Sequence, residues 1–167
     1  MSKVLLIEDD KNIRESIHEI LQFGGYNVTS AENGLLGIAE AKKFVPDMVI
    51  CDIMMPGLDG WETIELFRSI DKFEHTPFVF LSAMPLAPNY RLGMNSGADD
   101  YLVKPIDPVE LLEIVGRLIS KSIKRSLAND ERVQHALDTF EGKIRSNEKD
   151  FQDSLNRAKI VQNGILP

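Results

Sequence analysis

A single cysteine in 167 residues leaves the chain unable to form an internal disulfide. Cys51 sits inside an apolar run, where a thiol reads as a small, inert hydrophobe of a reducing compartment. Long hydrophobic runs are missing too. None approaches the roughly 20 residues that cross a bilayer, so no membrane association is expected. The N-terminal stretch Met1-Ser-Lys-Val-Leu-Leu-Ile-Glu-Asp is too short in its apolar part, and too acidic after it, for a signal peptide. The expected location is cytoplasmic. Positive charge is also scarce: 19 Lys and Arg face 26 Asp and Glu, a net charge of −7. With no basic patch, this chain itself is not expected to bind nucleic acid. The deficit belongs to residues 1–121, which hold 11 basic against 19 acidic side chains, whereas residues 122–167 hold 8 against 7. An acidic domain with clustered carboxylates suits a cation site. The length allows one full domain and an extra element rather than two domains.

Short apolar runs alternate with helix-period segments from Lys3 to about Leu118. Val4-Leu5-Leu6-Ile7 and Met48-Val49-Ile50-Cys51 are continuous apolar runs, as expected of strands buried on both faces. Tyr26-Asn27-Val28-Thr29, Phe78-Val79-Phe80-Leu81 and Tyr101-Leu102-Val103 complete five strands. Between them, Ile13, Ile17, Ile20 and Leu21 share one helical face stopped by Gly24-Gly25, and Asn33-Gly34 opens a helix ended before Pro46. Gly60 precedes a helix bearing Trp61, Ile64, Phe67 and Ile70. A loop from Met84 to Pro88 leads to a fourth helix ending near Gly97, and Pro108 sits in the first turn of a fifth. Five strands alternating with five helices predict one doubly wound, five-stranded parallel sheet covered on both faces. In such α/β sheets ligands bind beyond the carboxyl ends of the strands, where strand order reverses.

Polar groups close the apolar runs at that rim. Asp9 and Asp10 follow the first strand, Asp52 ends the third, Ser82 the fourth and Lys104 the fifth. Each has a plain structural alternative: Asp10 as a helix cap, Asp52 in a loop, Ser82 in a turn, Lys104 as a solvated charge. Together they place three carboxylates, a hydroxyl and an ammonium at one crevice. Carboxylates so close repel unless a cation sits between them, and Mg²⁺ takes one or two carboxylates with water and phosphate oxygens. An ionised Asp can attack phosphorus, with the metal, the ammonium and the hydroxyl receiving the developing charge.

The segments Ile7-Glu8-Asp9-Asp10, Asp52-Ile53-Met54-Met55-Pro56-Gly57-Leu58-Asp59-Gly60 and Gly97-Ala98-Asp99-Asp100-Tyr101-Leu102-Val103-Lys104-Pro105 resemble the receiver domain of two-component response regulators. The resemblance runs from the first strand through the fifth helix and implies a flavodoxin-like fold. It implies Asp52 as phosphoacceptor, charged from a phosphohistidine on a sensor histidine kinase or phosphotransfer protein. It also implies Mg²⁺ held by Asp9, Asp10, Asp52 and the backbone carbonyl of Met54. Lys104 would pair with the phosphoryl group, its bond to Pro105 would be cis, and Ser82 and Tyr101 would form the switch. Ser stands at 82 where Thr is frequent, which keeps the hydroxyl but loosens the side chain. Tyr101 is also readable as a plain core aromatic, and the methionines as packing residues.

The fifth helix carries Val109, Leu112, Val115 and Ile119, and its signal continues into residues 122–167, weakening around Leu127-Ala128-Asn129-Asp130 before resuming. From Val133 a seven-residue repeat appears, with Val133, Phe140, Asn147, Ser154 and Val161 on one set of positions and Leu137, Ile144, Phe151, Ala158 and Ile165 on the other. This predicts a parallel dimeric coiled coil, and hence a homodimer; the alternative is an amphipathic helix folded back on its own domain. The last ten residues, Ala158 to Pro167, resemble the junction ahead of PPM-type serine/threonine phosphatase output domains, implying an output beyond this helix. A hydrolase of the haloacid-dehalogenase type would need a second Asp two residues after the nucleophile. Met54 stands there and cannot move protons, so an enzyme acting on external substrates is not expected. A non-phosphorylated interaction module is the remaining alternative, although every ionisable group the chemistry needs is present.

Overall fold

The computed structural model describes residues 1–84, 95 and 97–162. Most of the expected loop with Pro85 and Pro88, nearly all of the fourth helix expected after it, and the chain end with Ile165 lie outside the described residues. Each apolar run becomes a strand: β1 (Lys3–Ile7), β2 (Asn27–Ala31), β3 (Met48–Asp52), β4 (Phe78–Ser82) and β5 (Asp100–Val103). They form one parallel sheet in the order β2-β1-β3-β4-β5, so strand order reverses at β1 and β3. The described helices are α1 (Lys11–Phe23), α2 (Gly34–Phe44), α3 (Gly60–Arg68) and α4 (Pro108–Gln162).

Local chemistry sets the helix ends. The Asp10 carboxylate accepts from the Ile13 amide and caps α1, and Asn33 caps α2 through the Leu36 amide. Asp59 and Glu62 cap α3 reciprocally. After α1 the chain turns at Gly25, whose φ of 91° suits glycine. Ile70, expected on the third helix, lies just beyond it at the head of a 3₁₀ turn (Asp71–Phe73). The Arg68 guanidinium reaches away from the helix and donates to the Phe73, Thr76 and Gly97 carbonyls, so tertiary bonds outweigh continuation of the apolar period.

Because side chains alternate across a strand, the sheet feeds two cores. Leu5, Ile7, Val49, Cys51, Phe78 and Phe80 point to one face with Ile64 and Phe67 of α3. Val4, Leu6, Met48, Ile50, Val79 and Leu81 point to the other with Ile17 and Leu21 of α1 and Leu111, Val115 and Leu118 of α4. Burying each such side chain stabilises the fold by about 1.5–3 kcal/mol. That rigidity holds the strand ends in place.

The chain divides into two compact units, Met1–Ile123 and Lys124–Pro167. The division falls inside α4, which runs unbroken for 55 residues. No interruption occurs at Leu127 to Asp130. In the second unit every side chain from Lys124 to Lys159 is exposed, including Val133, Leu137, Phe140, Ile144 and Phe151. No described helix is long and apolar enough to cross a membrane.

Candidate functional site

The rim beyond β1 and β3, at the reversal of strand order, carries the acidic cluster. Asp52 closes β3 and is 3% exposed; Glu8 follows β1 and has no exposure at all. With the exposed Asp9 they bring three carboxylate oxygens within 4.8 Å of one another. Among the described residues this is the one such group of carboxylate, imidazole or thiol ligands. Lys104, just past β5, reaches in with its Nζ 2.9 Å from Glu8 Oε2 and 3.4 Å from Asp52 Oδ1. The Glu8 contact is a buried ion pair, and the ammonium lies closer to Glu8 than to Asp52. The peptide bond from Lys104 to Pro105 is cis.

Backbone architecture holds these groups together. The Arg14 guanidinium, from the second turn of α1, donates to the Glu8 and Asp9 carbonyls and pins the acidic loop. At the start of α3, Gly60 donates its amide to the Ile53 carbonyl. A Cβ at Gly60 would lie 2.6 Å from the Asp52 carbonyl oxygen and 2.7 Å from Ile53 Cα, so only glycine lets α3 begin this close to the acceptor strand. The adjacent Trp61 packs on Phe80, ring centroids 4.7 Å apart.

Burial disfavours charge on the carboxylates. It lifts Glu8 to about 7, opposed by Lys104 and reinforced by the charge of Asp52. Burial also raises Asp52, against the pull of Lys104. Burial works to lower Lys104, but the two carboxylates outweigh it and hold the ammonium above its ordinary value. The Cys51 thiol is pushed well up by burial, then by Asp52, and its Sγ donates to the Asp52 carbonyl; it is a core group.

Asp9, Asp52 and Lys104 thus meet. Asp10 does not join them: its carboxylate is spent on the α1 cap, the plain alternative the sequence already offered. Glu8 takes the place expected of Asp10 in the cluster. Met54 lies two residues past Asp52 with its side chain exposed. Ser82 is 1% exposed at the end of β4, and its Oγ accepts from the Met84 amide at 3.1 Å. The Tyr101 ring is buried, and its hydroxyl donates to the Met84 carbonyl at 2.9 Å. Ser82 and Tyr101 therefore hold the two backbone groups of one residue.

Residues 4–116 match the family model of the response regulator receiver domain. A probable transcriptional regulator, ycf29 of Porphyra purpurea, is 40% identical over 70% of this chain and 56% of its own length. The DNA-binding dual master transcriptional regulator RpaA of Synechocystis is 34% identical over 73% of this chain and 51% of its own. The chain thus spans about half the length of these curated relatives. Among solved structures, the chemotaxis protein CheY4 of Vibrio cholerae aligns with a TM-score of 0.68 at 33% identity, covering 71% of this chain and 98% of that one. The receiver domain of a sensor histidine kinase from Pseudomonas aeruginosa aligns with a TM-score of 0.66 at 28% identity, covering the same shares. That structure holds a magnesium ion in its active-site cleft.

Proposed function

The chain belongs to the response regulator receiver family, and from that premise we propose that Asp52 accepts a phosphoryl group from a phosphohistidine and thereby switches the domain. The observation that carries this reading is the buried Asp52 carboxylate, held 3.4 Å from the Lys104 ammonium beside Glu8 and Asp9. An Asp52 Oδ forms a bond to phosphorus while the phosphorus–nitrogen bond breaks, and the histidine nitrogen leaves with the electron pair. Lys104 pairs with the incoming phosphoryl oxygens.

An all-oxygen donor set of three clustered carboxylates fits a hard divalent cation. Glu8, Asp9, Asp52 and the Met54 backbone carbonyl are assigned to hold Mg²⁺. When bound, it neutralises the clustered carboxylates and draws charge from the transferring group.

The Ser82 hydroxyl is assigned to bond the Asp52-borne phosphoryl group. Moving it takes the acceptor from the Met84 amide, and Tyr101 is anchored on the same residue, so the two side chains move as one switch. An apolar groove of about 520 Å³, lined by Ile13, Ile17, Ile20, Pro105 and Ile106, borders Lys104. It suits a helix of the sensor kinase or phosphotransfer protein that brings the phosphohistidine to Asp52. The location consistent with such a donor is cytoplasmic, and the chain turns over no external substrate.

The exposed apolar stripe of α4 is assigned to pairing with a second copy, which sets two receivers to control paired outputs. The tail resemblance favours a PPM-type phosphatase as output. The name of the Synechocystis relative favours a DNA-binding one. Phosphatase assays and DNA-binding assays on the protein with its output discriminate between them.

Incubation with a small acyl phosphate and Mg²⁺ is expected to add one phosphoryl group, read by intact mass. Asp52→Asn and chelation by EDTA each abolish the addition. Undiminished labelling of Asp52→Asn refutes the assignment.

A further inference from the structure

Because α4 is unbroken, heptad positions can be counted along it without a skip. From Val133 onward the seam residues Val133, Leu137, Phe140, Ile144 and Phe151 are all more than half exposed. Counting back in sevens from Leu137 reaches Asp130, and from Val133 reaches Ser126. Asp130 is therefore a seam residue, and it is exposed.

In a parallel, in-register pair each seam residue meets its own copy. Charge pattern selects this arrangement. Lys143 immediately precedes the seam residue Ile144, and Glu148 immediately follows Asn147, so the parallel register sets Lys143 of one copy against Glu148 of the other. An antiparallel pair loses this match. The second copy is thus the occupant that the seam fits.

The same register sets the two Asp130 carboxylates face to face. Nothing in α4 offsets them: the residues three and four positions away are Ser126, Leu127, Val133 and Gln134, none of them basic. Arg125 and Arg132 stand off the seam. We propose that Asp130 is a built-in brake on pairing, holding this stretch apart while Leu137, Ile144 and Phe151 close the rest. The inference rests on the reading above that α4 pairs with a second copy. Its consequence is regulatory: pairing is kept weaker than the seam permits, close enough to balance for the state of the receivers to tip it.

Sedimentation equilibrium of the full chain tests this. Asp130→Asn, which keeps the shape and removes the charge, is expected to tighten the dimer Kd by about tenfold or more. Glu131→Gln removes an equal charge one position off the seam and is expected to change Kd by less than about twofold. Ser154→Cys, on the seam, is expected to cross-link to its own copy on mild oxidation, as the parallel register requires. A parent dimer whose Kd is indifferent to Asp130→Asn overturns the brake and leaves the pairing intact. A dimer in which Ser154→Cys fails to cross-link also overturns it, since Asp130 then does not meet its copy. A parent that stays monomeric at tens of micromolar overturns the pairing, and the brake with it.

Discussion

Glu8 is a carboxylate with no exposure, whose pKa burial raises to about 7 from an ordinary 4.5. Between those two values the folded chain keeps a proton that the unfolded chain has released. Stability therefore falls as pH rises through that window, and above about 7 the full cost of the buried charge is present. Asp52, also raised, acts in the same direction. In metal-free buffer the urea midpoint is expected to drop between about pH 5 and about pH 7.5, equivalent to roughly 1–3 kcal/mol. Glu8→Gln should remove most of that slope, and a parent that gains stability over the window contradicts the arrangement. That Asp52, Ser82 and Lys104 stand at strand ends was legible in the sequence because each is the polar residue that closes an apolar run. Glu8 was not, since three acidic residues in a row offer no period to say which face the crevice. The signal lay in the cap: Asp10 stands three residues before Ile13, where the helical period begins, and a residue spent on that cap leaves the two acids before it for the rim.

Whole elements were more legible than their ends. Parallel strands buried on both faces read as unbroken apolar runs, so the sheet could be inferred directly. The apparent weakness of α4 at Leu127 to Asp130 has no structural counterpart. Apolar periodicity reports which residues are buried, whereas helicity needs only residues that tolerate the helix. Leu127 and Ala128 favour it and neither Gly nor Pro intervenes, so the helix passes through where its apolar stripe fades. Within the second unit's part of this helix, Gly142 is the residue that taxes it. It lies off the seam, and a Cβ there would meet nothing within 4 Å. Gly142→Ala is expected to stabilise the second unit by about 1 kcal/mol, seen as a higher midpoint for loss of the helical circular dichroism signal. A lower midpoint would show that Gly142 is needed for a backbone conformation or contact that a continuous helix does not contain.

At the scale of the molecule, two units with different physics share one helix. The first draws its stability from two cores flanking a sheet, and its buried hydrophobic residues end at Ile119. The second has no buried side chain among residues 124–159, which leaves its apolar stripe free for the pairing proposed above. That contrast was visible in the sequence as a change of period, from alternating runs and helices to a seven-residue repeat, and as a change from acidic to nearly neutral charge. Breaking the seam should therefore separate the two units' properties. Replacing Leu137 and Ile144 by Asp puts two charges per copy onto the stripe, where desolvating them on pairing is costly. Light scattering is expected to give a monomer, while labelling by an acyl phosphate and Mg²⁺ proceeds at the parent's rate, because neither residue belongs to the cores that position Asp52 and Lys104. A variant that remains dimeric would move the interface off the heptad stripe. A monomer that no longer labels would mean that the acceptor site depends on pairing, and the receiver would then have to be treated as one half of a two-chain machine.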